Sequence, residues 1–431
     1  MGAAEGLGEA PASFEPWWWR AAAPSQDAES RPPASADVAI VGAGITGLVA
    51  AIELALGGRR VVVLDRDAPG HGASTRNAGY VGRSLKHGIA EIAARDGLER
   101  AVRVYRELRE ASEAVAETVR RHAIDCHYRR QGRLLLATSP AMLEAMRQEY
   151  ALRERHAGEA HVVLDRQAQR TEVATDHYFG GVRIDDHAGL HPGLYHRGLL
   201  EAARRAGATV CGGAPVTGIR RDGERFTLAL AAGRLSAREV IVATNGDSGR
   251  AWPWLRRRLI PFDAYQAVSA QLGAARVAAL LPGDRTYIDW NFDVDWFRRV
   301  PDDPSRIQFG GLTGGRNQDL SSIARRLRAR MLRIFPDLGE LAVSHVWTGK
   351  CAGTFDFEPR IGEHDGIRYA GGYCFVGVPM GTLFGLKLAR RVLGQPGGES
   401  AFDRPFRTFA LYRGNPWFVP LAFAWMRRHD R

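Results

Sequence analysis

Three glycines set between apolar runs restrict this chain more than any other feature. Gly42, Gly44 and Gly47 follow the run 38–41, Val-Ala-Ile-Val, and open a second apolar stretch that ends at Gly57-Gly58. A third run, 60–64, closes on Asp65. The pattern predicts strand, helix and strand in one parallel βαβ unit. Each glycine has its own task there. Gly42 allows the tight turn, Gly44 lets backbone approach a pyrophosphate, and Gly47 lets helix and strand pack closely. The helix start, Ala43, Ile45 and Thr46 included, offers unpaired N–H groups and the positive end of the dipole to phosphates. Asp65 stands about twenty residues on, where a carboxylate accepts ribose hydroxyls and repels a 2′-phosphate. A lone G-x-G-x-x-G constrains little; with both strands and the acid in place it specifies a dinucleotide site.

At 431 residues the chain exceeds one ordinary core, so two lobes are expected. Its 45% apolar and 25% charged residues are those of a globular protein. No apolar run approaches the roughly 20 residues that span a bilayer, so no membrane span is expected. Residues 1–35, rich in Ala, Pro, Ser and Gly, lack a secretory pattern and read as an irregular arm. Trp17-Trp18-Trp19 within it is expected to dock on the body. Cys126, Cys211, Cys351 and Cys374 lie far apart with no C-x-x-C pair. That argues against a metal site or a disulfide framework, and a reduced cytoplasmic setting is expected. The net charge is +11, yet only Lys86, Lys350 and Lys387 among the 59 basic residues are lysine. The arginines, such as Arg325, Arg326, Arg328, Arg330 and Arg333, read as solvated helix faces without interleaved aromatics, and no nucleic-acid partner is expected.

Beyond the βαβ unit, 88–122 is helical by its 3.6-residue spacing, 131–138 reads as a strand and 139–156 as a helix. A helix after His191-Pro192, a short strand at 209–211, a hairpin pair and a buried strand at 239–243 follow. Strand-like aromatic sequence fills 261–311, and a helix runs over 321–335. Gly-rich strand–turn–helix character returns over 346–393. The expected division is a discontinuous dinucleotide lobe over 36–87, 186–254 and 346–400, a second lobe over 88–185 and 255–345, and a tail over 401–431.

Four segments together resemble the FAD-dependent D-amino acid oxidase and glycine oxidase superfamily, nearest its γ-glutamylputrescine-oxidase-like branch. They are the fingerprint above; Gly70-His71-Gly72-Ala73-Ser74-Thr75-Arg76-Asn77-Ala78-Gly79; Val240 to Val242 running into Thr244-Asn245-Gly246; and Tyr369-Ala370-Gly371-Gly372-Tyr373 continuing through Gly377-Val378-Pro379-Met380-Gly381-Thr382. Trp347, Asp356, Pro359, Arg360, Ile361 and Gly362 match a further family run. The resemblance implies an α/β fold: a Rossmann-type, glutathione-reductase-like FAD lobe plus an α+β substrate lobe with an antiparallel sheet. It implies FAD contacts in all four segments, Arg66 among them, and further ones at Val216 and Arg360. A nicotinamide enzyme would share the first motif but would need neither the 70–79 loop nor a second Gly-rich strand–helix junction.

The chemistry so implied is oxidation of an amine or amino acid C–N bond by hydride transfer to flavin N5, giving an imine, with O2 as acceptor. The flavin carries the hard chemistry and the protein supplies orientation and desolvation. No obligatory general base is expected. Candidate substrate contacts are Tyr80, Tyr373, Tyr265, Trp290, Phe292 and Trp296, whose π faces would attract an ammonium, and His71. Cys351-Ala352-Gly353-Thr354 resembles the C-x-x-T context in which sarcosine-oxidase-like relatives join flavin 8α to a cysteine. Cys351 is therefore the candidate for a thioether, with Lys350 expected to favour its thiolate. The alternatives are a same-fold dehydrogenase with another electron acceptor, a flavin monooxygenase, and a non-catalytic flavoprotein.

Overall fold

The computed structural model describes residues 13–24, 31–231, 233–314 and 318–428. Two eight-stranded sheets organise them. The first has the strand order Arg360–His364, Ile367–Gly371, Gly233–Val242, Ser35–Val41, Val61–Leu64, Thr209–Cys211. Its pairings are parallel except at the Arg360–His364 edge and in the hairpin Val216–Asp222/Arg225–Leu230, which extends Gly233–Val242. Register decides where a ligand can sit. Val41 lies opposite both Leu64 and Val242, so the next residues, Gly42, Asp65 and Ala243, share one edge. That edge is the carboxyl end of the parallel strands, where open α/β sheets bind ligands.

Helix Ile45–Leu56 covers this sheet with Leu48, Val49 and Ile52 buried, and stops at Gly57 and Gly58. Helix Gly377–Leu393 crosses it closely. A Cβ on Gly385 would come within 2.7 Å of Thr46 O, so only glycine permits that crossing. The second sheet runs Val343–Gly353, Ile260–Ser269, Asp303–Gly311, Trp296–Val300, Thr286–Asp289, Arg133–Leu136, Gly180–Ile184, Val162–Asp165. It is antiparallel but for the pairing of Thr286–Asp289 with Arg133–Leu136. Helix Leu320–Ile334 buries Ile323, Leu327 and Met331 against it. The expected α/β architecture, a Rossmann-type lobe beside an α+β lobe, is the one observed.

Two segments sit differently from the expected division. Strand Val343–Gly353 pairs along its length with Ile260–Ser269 and so belongs to the second sheet, although the sequence pattern puts 346 at the start of a dinucleotide-lobe segment. Helix Leu98–Arg121, placed in the substrate lobe by sequence, turns Val104, Leu108, Ala111 and Val115 into the core around Leu383 and Phe384 of the first lobe. Its amphipathic spacing reports a buried face but not which neighbour covers it. The helical stretch expected over 88–122 is made of two helices, Ile89–Asp96 and Leu98–Arg121, parted at Gly97 with φ +90°.

The described part of the arm docks. Trp18 is fully buried, donates from Nε1 to Asn77 O at 2.9 Å and meets the Trp347 ring edge-on. Trp19 Nε1 donates to Thr75 Oγ1 at 2.9 Å, and Trp17 Nε1 to Asp302 Oδ1 at 3.0 Å. The three indoles thus brace the 70–79 loop against the second sheet. Replacing Trp18 by alanine should destabilise the protein by about 3–5 kcal/mol, read from the urea unfolding midpoint. An unchanged midpoint would show that the arm's docking contributes nothing.

Candidate active site

A cavity runs from the carboxyl edge of the first sheet to the second sheet. At its first end, Gly42 has φ +108°, and a Cβ there would lie 2.8 Å from Ala243 O. Gly47 does not line the cavity; its Cβ would fall 1.9 Å from Gly42 O, which fixes helix against turn. Ala43 N donates to Asp65 Oδ2 at 2.7 Å and Ile45 N to Ser74 Oγ at 3.1 Å, while His196 Nε2 bonds Ala43 O at 2.8 Å. Asp65 also accepts from Asp67 N at 3.1 Å. Burial pushes its carboxyl above the ordinary range, with those two backbone bonds opposing. Gly44 has no side chain with which to cap the helix; Ser74 takes the Ile45 N–H, and the rest of the first turn lines the cavity with N–H groups to offer a ligand.

Along one wall lie Gly72, Ala73, Ser74, Arg76, Asn77 and Ala78. Asn77 shapes the loop by donating to Ala73 O and Ser74 O and accepting from Gly79 N at 2.8 Å. Gly79 itself backs onto Leu190 O and does not line the cavity. Arg76 ties the loop to strand Val343–Gly353 through Thr348 O at 3.1 Å. Val216, Thr244 and Arg66 also line the cavity, and Arg66 pairs with Asp67 at 2.9 Å. The start of helix Gly377–Leu393, again without a cap from its own N-cap residue, brings Gly377, Val378 and Pro379 to the lining. Tyr373 and Thr46 meet there, their hydroxyls 2.6 Å apart.

Several expected contacts stand off the cavity. Met380, Gly381 and Thr382 lie further along that helix, where Thr382 bonds Tyr195 at 2.9 Å. Gly372 donates its N–H to Asn245 Oδ1 at 2.9 Å and supports the junction from behind. Arg360 is buried in an ion-pair network with Asp356 and Glu358. Tyr265 points into the second sheet's core, because its strand neighbours Ala264 and Gln266 take the cavity side of the pleat. Trp290 packs against the small core that holds Met146 and Tyr150, Phe292 lies under Lys86, and His71 faces Trp19. None of these four lines the cavity.

Tyr80 and Trp296 do line its second end. The Tyr80 hydroxyl is spent on Phe297 O at 2.8 Å and Tyr287 O at 3.2 Å, so the residue presents its ring as a wall. Sequence reasoning missed Gln266, Ser84 and Arg133 at this end. Arg133 is 3% exposed; it donates to Ser84 Oγ at 2.5 Å and Thr286 Oγ1 at 3.4 Å. No carboxylate lies within ion-pair distance of it among the described residues, and burial lowers its guanidinium's affinity for the proton. The signal was present, a charge heading the apolar run Arg-Leu-Leu-Leu.

Cys351 lines the cavity, but Lys350 does not activate it. Lys350 Nζ pairs with Asp247 at 2.5 Å. Burial, with Cys374 and Asp263 nearby, pushes the Cys351 thiol up to about 12. The expected thiolate is not favoured there.

Two helix starts lining the cavity, a glycine turn that a Cβ would fill and a carboxylate beside that turn suit a dinucleotide joined to a broad ring system. The family model described as "FAD dependent oxidoreductase" matches residues 37–391. The chain is 32% identical over 372 residues to gamma-glutamylputrescine oxidoreductase of Escherichia coli (strain K12), covering 85% of each chain. It is 25% identical over 372 residues to glycine oxidase of Bacillus licheniformis, covering 84% of this chain and 94% of the relative. The crystal structure of glycine oxidase from Geobacillus kaustophilus shares the fold, with TM-score 0.72 and 23% identity over 86% of this chain and 97% of that one. Asp65→Ala should lower the flavin bound per chain without unfolding the flavin-free protein, whose stability falls by about 1–3 kcal/mol as the Ala43 and Asp67 N–H groups lose their acceptor. Full flavin occupancy in that variant would remove the ribose role from Asp65.

Proposed function

The chain belongs to the FAD dependent oxidoreductase family, and we propose that it oxidises the C–N bond of an amine or amino acid to an imine that hydrolyses, with O2 as final acceptor. The observation that carries this reading is the two-ended cavity: backbone and helix starts at one end, Tyr80, Trp296 and a buried arginine at the other. In this reading the 43–46 turn holds the pyrophosphate, Asp65 the ribose, and residues 377–379 the pyrimidine edge of the ring. Bound there, FAD supplies acceptance of a hydride equivalent from the carbon beside nitrogen.

The protein's own groups bind and orient. Arg133, buried and without a carboxylate partner, matches a substrate carboxylate, held by its guanidinium and the Ser84 hydroxyl. The Tyr80 and Trp296 rings wall the substrate and exclude water. Histidine is absent from the described lining, and the Tyr80 proton is tied to backbone carbonyls. A group placed to take a proton from substrate is therefore not part of the reading, and the amine enters neutral. The relatives' names support the same class: one acts on gamma-glutamylputrescine, the other on glycine.

Anaerobic titration with amines and amino acids tests the reaction, and peroxide release under air tests the acceptor. Reduction of the flavin without peroxide would favour a dehydrogenase; bleaching by NADPH alone would favour a monooxygenase. Arg133→Met should raise KM for a carboxylate-bearing substrate by roughly tenfold to a hundredfold and leave that for a simple amine unchanged. Equal KM changes for both would remove the carboxylate from Arg133.

The protonated Cys351 thiol supports non-covalent attachment. Acid-denatured protein should release its yellow colour to the supernatant; a yellow pellet would restore the thioether at Cys351. The four cysteines are all free, which supports a reduced cytoplasmic setting.

A further inference from the structure

Five of the ten large apolar side chains exposed among the described residues fall between 409 and 425: Phe409, Leu411, Trp417, Leu421 and Trp425. Leu411 and Leu421 are each 70% exposed. The segment is nevertheless anchored. Tyr412, Val419 and Phe423 turn inward against Ile260 and Phe262, and the Tyr412 hydroxyl donates to Leu259 O at 2.6 Å. On helix Val419–Arg428, Val419 and Phe423 make the inward stripe, while Leu421 and Trp425 make an outward one. A helix apolar on two sides is ordinarily covered on both.

Charge identifies the cover. From 404 to 428 the sequence holds Arg404, which pairs with Asp96, then Arg407, Arg413, Arg427 and Arg428, and neither Asp nor Glu. Arg407 and Arg413 are exposed. The arginines are interleaved with Phe406, Phe409, Tyr412, Trp417, Phe418, Phe423 and Trp425. This corrects the expectation that no basic stretch of the chain interleaves with aromatics. A second copy of the same surface would set arginine against arginine with no carboxylate to separate them. A surface of anionic lipid answers both features: Leu and Trp enter the boundary of headgroups and acyl chains, and arginines meet phosphates.

We propose that residues 404–428 dock the protein peripherally on an anionic membrane surface. No helix of the described residues is long and apolar enough to cross a membrane, so the contact is interfacial. The patch adjoins the cavity. Phe262 packs on Phe423 of the docking helix at 5.7 Å and on Phe375 of the cavity lining at 5.4 Å. Docking therefore turns that wall of the cavity toward the lipid.

The test is sedimentation of the flavin-loaded protein with phosphatidylcholine vesicles, with and without phosphatidylglycerol. Binding is expected with phosphatidylglycerol only, weakening at high salt. L411E/L421E should lower it about tenfold or more, with flavin content and Tm retained. R407Q/R413Q, which leaves the apolar stripe intact, should also weaken it and serves if the first variant fails to fold. Absence of binding to phosphatidylglycerol vesicles, or equal binding by both variants, overturns the proposal. So does a dimer in light scattering that L411E/L421E converts to monomer, since the patch would then be a subunit interface.

Discussion

The turn at Ala43 is the constraint on which the rest of the site depends. Its N–H goes to Asp65, its carbonyl to His196, and the following N–H at Ile45 to Ser74. Three segments far apart in sequence therefore fix one turn, while Gly42 presses against Ala243 where no Cβ fits. The His196 bond is buried and the other two partly so, and breaking one strands a polar group largely away from water, at a cost of about 1–3 kcal/mol. The helix start is thereby aimed before any ligand arrives, and ligand binding need not supply the ordering.

A second junction couples this turn to the other lobe. Arg76 O accepts from Gln266 Nε2 at 2.5 Å and Trp347 Nε1 at 3.0 Å, and Gln308 in turn bonds Gln266. Arg298, buried and lowered to about 10 by desolvation, donates to Gln308 at 2.9 Å. The 70–79 loop thus hangs on the second sheet through polar groups that are all paired. The arm's indoles close the same loop from outside. The end of the cavity with glycine turns and the end with rings and arginine are held as one object.

Much of this was legible in the sequence, for identifiable reasons. Glycines that permit close approach carry fixed spacing, so spacing places the fingerprint, while the 70–79 loop and the 377–379 helix start were legible through the family resemblance. Helix ends were legible at Ser139, which caps through Met142 N at 3.1 Å, and at Gly57. Side-chain direction was not. Tyr265 misses the cavity by one residue of pleat, and Gln266 beside it was overlooked, because a strand buried on both faces shows no alternation to fix its parity. Arg133 was hidden by its apolar neighbours. Helix Leu98–Arg121 showed its buried face plainly, yet the partner was set by helix Gly377–Leu393, nearly three hundred residues away.

The stoichiometry of flavin in the native protein tests the role of this cavity most directly. Purified and reconstituted with FAD, the protein should hold one FAD per chain, with the shifted visible spectrum of a ring removed from water. Protein that is folded, colourless and unable to retain FAD after reconstitution would contradict that role.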